Sequence, residues 1–297
     1  MIHCEGKIAH NYNLLELDSL LRKMAQSENK LRNPETLRKV KNIVGIFSAK
    51  GGVGKSAISL QLALALKNQG FNVGLVDADI YGPSQPVMLN SFPGELKLTQ
   101  NQIIEPLTKE GIKFISMGLI SGEKMPVIWR GPMVSGAVMQ LLSQTEWGEL
   151  DYLIIDTPPG TGDVQLTLLQ RIPLTSSIVV TTPQEVSVSD CKKGIEMINK
   201  LEVPISGLIE NMSFFQPEAE SKKYYLFGKD GGKKLAEEYS LDLLAQLPLV
   251  EFEDNTSMMN HMGLKNEFDT IATKLSDSVK HLKEKIPEGI PQVNITK

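Results

Sequence analysis

Between Ile43 and Gly70 the chain reads IVGIF, then SAKGGVGKSA, then ISLQLALALKNQG. The first run is apolar and rich in β-branched residues, as a buried strand is, and the last repeats leucine at helical spacing before a glycine stop. A strand that turns through glycines straight into a helix aims several backbone N–H groups at one point, and a polyphosphate suits that point. The loop follows the pattern G-x-x-x-x-G-K-[ST] except at its first position, where Ala49 stands for glycine; Gly51, Gly52 and Gly54 are kept. Backbone from Gly51 through Val53 to Ala57 is expected to cradle the phosphates, with Lys55 reaching the terminal ones and the Ser56 hydroxyl ligating Mg²⁺. Lys50 is a second lysine that the pattern does not require.

Downstream, short apolar runs alternate with helical patterns. NVGLVDAD, IKFISMG, DYLIIDTPPG, SSIVVTTP and PISGLIENM are strand candidates. This alternation predicts an α/β fold, a doubly wound and mostly parallel sheet in three layers. The 297 residues suffice for one such domain. It is placed at residues 42–286, after an N-terminal helix and linker over 1–41 and before a tail over 287–297. Leu14, Leu17, Leu21 and Met24 line one face of that first helix. Residues 213 to 228 form a polar, irregular insertion. NEFDTIATKLSDSVKHLKEK predicts a final amphipathic helix with Phe268, Ile271, Leu275, Val279 and Leu282 inward; its outer face mixes both charge signs, which favours packing on the sheet over membrane binding.

Composition narrows the partners. A net charge of -4 argues against a strongly basic nucleic-acid surface, and no apolar run has the length to cross a bilayer. The opening MIHCEGK lacks the apolar core of a secretory leader, so a cytoplasmic protein with no membrane and no nucleic-acid partner is expected. Cys4 and Cys191 are the two cysteines, too far apart in sequence to be read as a C-x-x-C metal site or a disulfide framework, and both are expected to be free thiols.

Ligands of open parallel sheets sit at the carboxyl ends of the strands, and the acidic motifs fall there. LVDAD closes a strand at Asp77 and Asp79, and LIIDTPPGTGD closes another at Asp156. An apolar strand ending in aspartate supplies a carboxylate that holds Mg²⁺ through water, the role expected of Asp156. Gly160, in the glycine-rich turn that follows, is expected to offer its N–H to the terminal phosphate. Asp79 is the candidate to orient an attacking water; Asp77 and Asp79 also suit loop capping before Gly82 and Pro83.

With its early lysine, the loop resembles the deviant Walker A motif of the MinD, ParA and nitrogenase-iron-protein class of ATPases. DADIYGPS, WRGPM, DTPPGTGDVQLTL, VTTPQEVSVSD and IENMSFF resemble its Mrp (ApbC) branch, over about Ile43 to Leu275. The resemblance implies an ATPase that hydrolyses ATP with Mg²⁺ and a homodimer sandwiching two ATP molecules. In that dimer Lys50 of one subunit reaches the phosphates held by the other and takes part in catalysis with Lys55 and Asp79. It also implies that Asn211 hydrogen-bonds the adenine and that the protein serves iron–sulfur cluster assembly or transfer to apo iron–sulfur proteins or assembly factors. Arg130 belongs to the WRGPM signature, with an ion pair and a catalytic role both open. One departure stands out: relatives that handle clusters follow NMS with a C-x-x-C pair, whereas here the segment reads NMSFFQPEAESKKYYLFG, with Gln216 and Ala219 and no cysteine. Two other readings remain at this point, a MinD- or ParA-like localisation switch and an adaptor that grips a partner through its N-terminal helix.

Overall fold

A computed structural model describes residues 35–92, 95–99, 103–121, 131–217, 221–250 and 262–284. The N-terminal helix, Cys4, Arg130, Ala219 and the tail from 287 lie outside these residues. In chain order, α1 (Glu35–Arg38) leads into β1 (Val40–Phe47), and the glycine loop follows before α2 (Lys55–Asn68). Next come β2 (Val73–Asp77), α3 (Gln85–Met88), the two short strands β3 (Lys97–Leu98) and β4 (Ile104–Glu105), β5 (Leu107–Lys109), β6 (Ile112–Ser116), α4 (Met117–Ser121) and α5 (Gly131–Gln144). The chain continues through β7 (Leu150–Asp156), α6 (Asp163–Arg171), β8 (Ser176–Thr181), α7 (Glu185–Lys200), β9 (Ile205–Glu210), α8 (Gly231–Tyr239), β10 (Leu243–Gln246) and α9 (Met262–Glu284).

Among the described residues the main sheet has eight strands in the order β10-β9-β8-β1-β7-β2-β6-β5. Its pairings are parallel except for the β5–β6 hairpin. This is the doubly wound sheet expected from the alternation of strands and helices. The central strands read as unbroken apolar runs because both of their faces are covered: in β7, Leu153, Ile154 and Ile155 have no exposure. The large cluster joins α2, α5 and α9 to the middle of the sheet. A smaller one, around Phe47, Val179, Cys191, Ile195, Leu208 and Leu235, lies under α7 and α8.

The leucine run after the glycine loop is explained by the place of α2. It is buried on most of its circumference, with Leu62 and Leu66 fully enclosed and α9 laid against it. Gln69 at its end ties the two helices, its Nε2 donating to Asp269 O at 2.9 Å and to Thr273 Oγ1 at 3.1 Å. In α9 the inward residues Phe268, Ile271, Leu275 and Val279 are buried, while Leu282 is half-buried. The described residues of the insertion, 213–217 and 221–228, are irregular but anchored, Phe215 bridging to both Tyr224 and Leu249. The folded unit takes in residues ahead of the boundary drawn at 41 and 42, since β1 begins at Val40 and Leu37 is packed in the core.

The enclosed face of α2 generates one expectation. Leu66→Ala removes a fully buried side chain from the seam between helix and sheet, and the stability lost in urea unfolding is expected at about 2–5 kcal/mol. A loss below about 0.5 kcal/mol, the size typical of surface positions, would contradict the packing described.

Candidate nucleotide site

At the carboxyl end of β1 the loop turns through Gly52 and Gly54, whose φ angles of 78° and 82° lie in the left-handed region. A Cβ at Gly54 would also collide with Asn211 Nδ2, so glycine is required there twice over. The loop floors a cleft of about 340 Å³ whose lining includes Lys50, Lys55, Ser56, Asp79 and Pro159.

Asp156 ends β7, the neighbour of β1, and faces the start of α2. Its side chain has no exposure and forms an ion pair with Lys55 Nζ, itself only 6% exposed. Ser59 Oγ donates to Asp156 Oδ1 at 3.1 Å, and Gln85 Nε2 donates to Oδ2 at 3.1 Å. Two charges this far from water are tolerable because each is paired and the carboxylate's oxygens are further hydrogen-bonded. The pair joins two of the residues expected to act on phosphate and metal.

Asp77 lies beside Asp156 in the register of β2 and β7 and is fully buried. It accepts hydrogen bonds from Ser116 Oγ at 2.9 Å, from Asp79 N at 3.2 Å and from Gln85 N at 3.3 Å. Burial, and then the nearby Asp156 carboxylate, push the Asp77 carboxyl up to about 8. Asp77 is thus a scaffold for the loop that follows it. Asp79 reaches the cleft with 9% exposure, and its Oδ1 accepts from Tyr81 N and Gly82 N, each at 3.2 Å, so it caps its own loop as well.

Other expected site residues are engaged with the protein itself. Gly160 donates its N–H to Ser48 O at 3.0 Å, so in this structure that N–H points to the loop backbone. Lys50 Nζ pairs with Asp190 Oδ2 on α7 at 3.0 Å, and Lys193 holds the other oxygen at 3.0 Å. These two lysines, Lys193 more than Lys50, hold the Asp190 carboxyl below its ordinary range. Asn211 is half-buried and donates from Nδ2 to Val53 O at 2.8 Å, which fastens the end of β9 to the glycine loop. Beyond it a cavity of about 90 Å³ opens between Ala57, Met212, Leu249 and Phe268. Mostly apolar walls with the amides of Asn211 and Gln61 among them suit a planar heterocyclic base.

Among the described residues no group of three or more His, Cys, Asp or Glu side chains is placed to hold a metal. The oxygen donors expected to serve the metal are the Asp156 carboxylate below the loop and the Ser56 hydroxyl, and the Asp79 carboxylate also lines the cleft. Hard oxygens of this kind fit Mg²⁺, which is ordinarily held by one or two carboxylates plus substrate phosphates and water. A buried acceptor without a partner, Gln85 Oε1, belongs to the same cluster. Gln85, Ser59 and Ser116 were not singled out in the sequence; the available signal was a polar residue set among apolar ones, as Ser59 is within the leucine run of α2. Cys191 is 1% exposed in α7, and burial pushes its thiol up to about 12.

The sequence profile described as NUBPL iron-transfer P-loop NTPase matches residues 39–286. The chain belongs to this family. An iron–sulfur cluster carrier protein of Methanocaldococcus jannaschii is 44% identical over 96% of this chain and 100% of its own length. One of the same name from Pseudomonas fragi is 48% identical over 72% of this chain and 75% of its own length. Some other relatives of that name are longer, the match spanning 64% and 59% of two of them. Among solved structures, a nucleotide-binding protein from Archaeoglobus fulgidus in complex with ADP superposes with a TM-score of 0.65 at 30% identity, over 81% of this chain and 90% of that one. The chain is thus a nucleotide-binding P-loop NTPase of an iron–sulfur cluster carrier family. No described helix is long and apolar enough to cross a membrane.

The enclosure of Cys191 is open to a direct check. With Cys4 replaced by serine, a disulfide reagent such as DTNB at pH 8 is expected to label no thiol on the native chain and one thiol after denaturation, because a raised thiol is almost wholly protonated there. Rapid labelling of the native chain would place Cys191 at the surface.

Proposed function

We propose that this protein is a homodimeric, Mg²⁺-dependent ATPase of the cytoplasm whose nucleotide cycle serves the delivery of iron–sulfur clusters to apo proteins. The observation that carries the reading is the buried Lys55–Asp156 pair beneath the glycine loop, with a mostly apolar cavity nearby at Asn211. Such a pair is poised for exchange: an arriving polyphosphate offers Lys55 a stronger anionic partner, and Asp156 is then released to face the metal. Mg²⁺ held near Ser56 and Asp156 supplies neutralisation of charge on the phosphate oxygens. Asp79 orients the attacking water, and Asn211 reads the adenine edge with its amide. Gly160 exchanges its bond to Ser48 for the terminal phosphate.

In this reading Lys50 acts in trans. Its bond to Asp190 occupies two groups that are each about a third exposed, and pairs in contact with water in this way contribute little. Lys50 is therefore cheaply released to reach the phosphates of a second subunit, where a positive charge helps phosphoryl transfer. Cluster ligands are a separate matter. Cys191 is enclosed, the sequence after Asn211 has no cysteine, and Cys4 adds one thiol per subunit against the four that a cluster ordinarily needs, so in this reading the clusters are held by ligands of its partners.

The two lysines separate in one experiment. Lys55→Ala is expected to lose ATP affinity in calorimetry by roughly tenfold or more, the scale of a charge-assisted contact. Lys50→Ala is expected to keep the affinity of the monomer and lose the ATP-dependent dimer in sedimentation. Equal losses of monomer affinity would show that Lys50 acts within its own subunit, and unchanged affinity in Lys55→Ala would remove the nucleotide from this cleft.

A further inference from the structure

Gln85 opens α3, just beyond the loop that carries Asp79, and is completely buried. Its side-chain nitrogen donates twice, to Ser56 O at 2.8 Å and to Asp156 Oδ2 at 3.1 Å, while its backbone N–H donates to Asp77 Oδ2 at 3.3 Å. Two acceptors on one side fix the orientation of the amide, since only its nitrogen can serve both. Its oxygen is left buried without a hydrogen-bond partner. A buried acceptor in that state is a standing cost, so the amide is held for what its nitrogen does.

We infer that Gln85 is a positioning residue that fixes the separation of Ser56 and Asp156 and so sets the preference of the nucleotide site for Mg²⁺ over larger divalent cations. The inference rests on the Mg-ATP reading given above. Asp156 has three side-chain donors, Lys55, Ser59 and Gln85. Once Lys55 turns to the phosphates, Ser59 holds one carboxylate oxygen and Gln85 the other. Gln85 alone of the three also grips Ser56, through its backbone carbonyl rather than the hydroxyl that would meet the metal, so a single planar amide ties the Asp156 carboxylate to the residue that carries that hydroxyl. Mg²⁺ demands near-ideal octahedral geometry at about 2.0–2.1 Å, whereas Ca²⁺ accepts longer, irregular coordination at about 2.3–2.6 Å. With the Ser56 hydroxyl on the ion and Asp156 holding it through water, a fixed placement of the two would favour the ion with the stricter geometry, and loosening it would remove that advantage.

The test is calorimetric affinity of the full chain for ATP in EDTA, in Mg²⁺ and in Ca²⁺, for the natural sequence, Gln85→Met and Gln85→Glu. Methionine keeps length and flexibility without the amide; glutamate keeps the shape but sets a carboxylate against Asp156 and the Ser56 carbonyl. Affinity in EDTA is expected to stay within about twofold in Gln85→Met. Mg²⁺-supported affinity should fall by about tenfold or more, the usual scale for residues that orient a metal ligand, and Ca²⁺-supported affinity by much less, so that the ratio between the two cations collapses. Should Gln85→Met lose its native near-ultraviolet dichroism, Gln85→Glu decides, with the same loss of discrimination expected. An unchanged Mg²⁺-to-Ca²⁺ ratio in a folded variant, or equal losses in all three media, overturns the inference; failure of both variants to fold marks Gln85 as structural and overturns it too. If the natural sequence itself binds ATP with no response to Mg²⁺, the reading of Asp156 and Ser56 falls along with it; a Mg²⁺ response that both variants retain removes only the role of Gln85.

Discussion

The ion pair between Lys55 and Asp156 organises everything around the cleft. It spans from the first residue of α2 to the last residue of β7, and both partners are withdrawn from water. An unpaired charge in that place would be strongly destabilising, of the order of 3–5 kcal/mol for a broken buried pair. The rest of the cluster follows from that constraint. Ser59 and Gln85 complete the carboxylate, Asp77 receives the backbone N–H of Gln85, and Ser116 braces Asp77 from β6. Three neighbouring strands, β7, β2 and β6, thereby share one polar network at their carboxyl ends with the start of α2.

The same economy extends to the groups that are to meet a nucleotide. Lys55 pairs with Asp156, Lys50 with Asp190, and the Gly160 N–H with Ser48 O. Each has an internal partner that a phosphate or a second subunit can replace. In the proposed cycle, binding is an exchange of partners rather than the filling of a prepared set of free donors, and through the glycine loop it would couple the loop after β7 to helix α7. Val186 is an exposed apolar side chain on α7, and Tyr81 is another in the loop after β2, near the cleft.

Much of the fold was legible in the sequence because its signals are local. Glycines at fixed spacing specify a left-handed turn, a leucine run at helical spacing specifies α2, and unbroken β-branched runs specify strands covered on both faces. Lys55, Ser56 and Asp156 were legible for the same reason, each standing at the end of a recognisable element. What sequence alone did not disclose is held by distant pairings. Gln85 meets Asp156 across 71 residues and Asn211 meets Val53 across 158. Lys50 finds Asp190 on a helix far along the chain, and no periodicity announces such a contact. Asp79 illustrates a third case: its loop-capping bonds and its place at the cleft coexist, so capping does not withdraw the side chain from the cleft.

The central claim is that the Lys55–Asp156 pair opens when nucleotide arrives. A structure of the full chain with Mg²⁺ and a non-hydrolysable ATP analogue measures this directly. The account predicts Lys55 Nζ at about 2.7–2.9 Å from a phosphate oxygen, the distance of a charge-assisted bond, with Asp156 parted from the lysine and turned to the metal. A bound analogue beside an intact Lys55–Asp156 pair would contradict it.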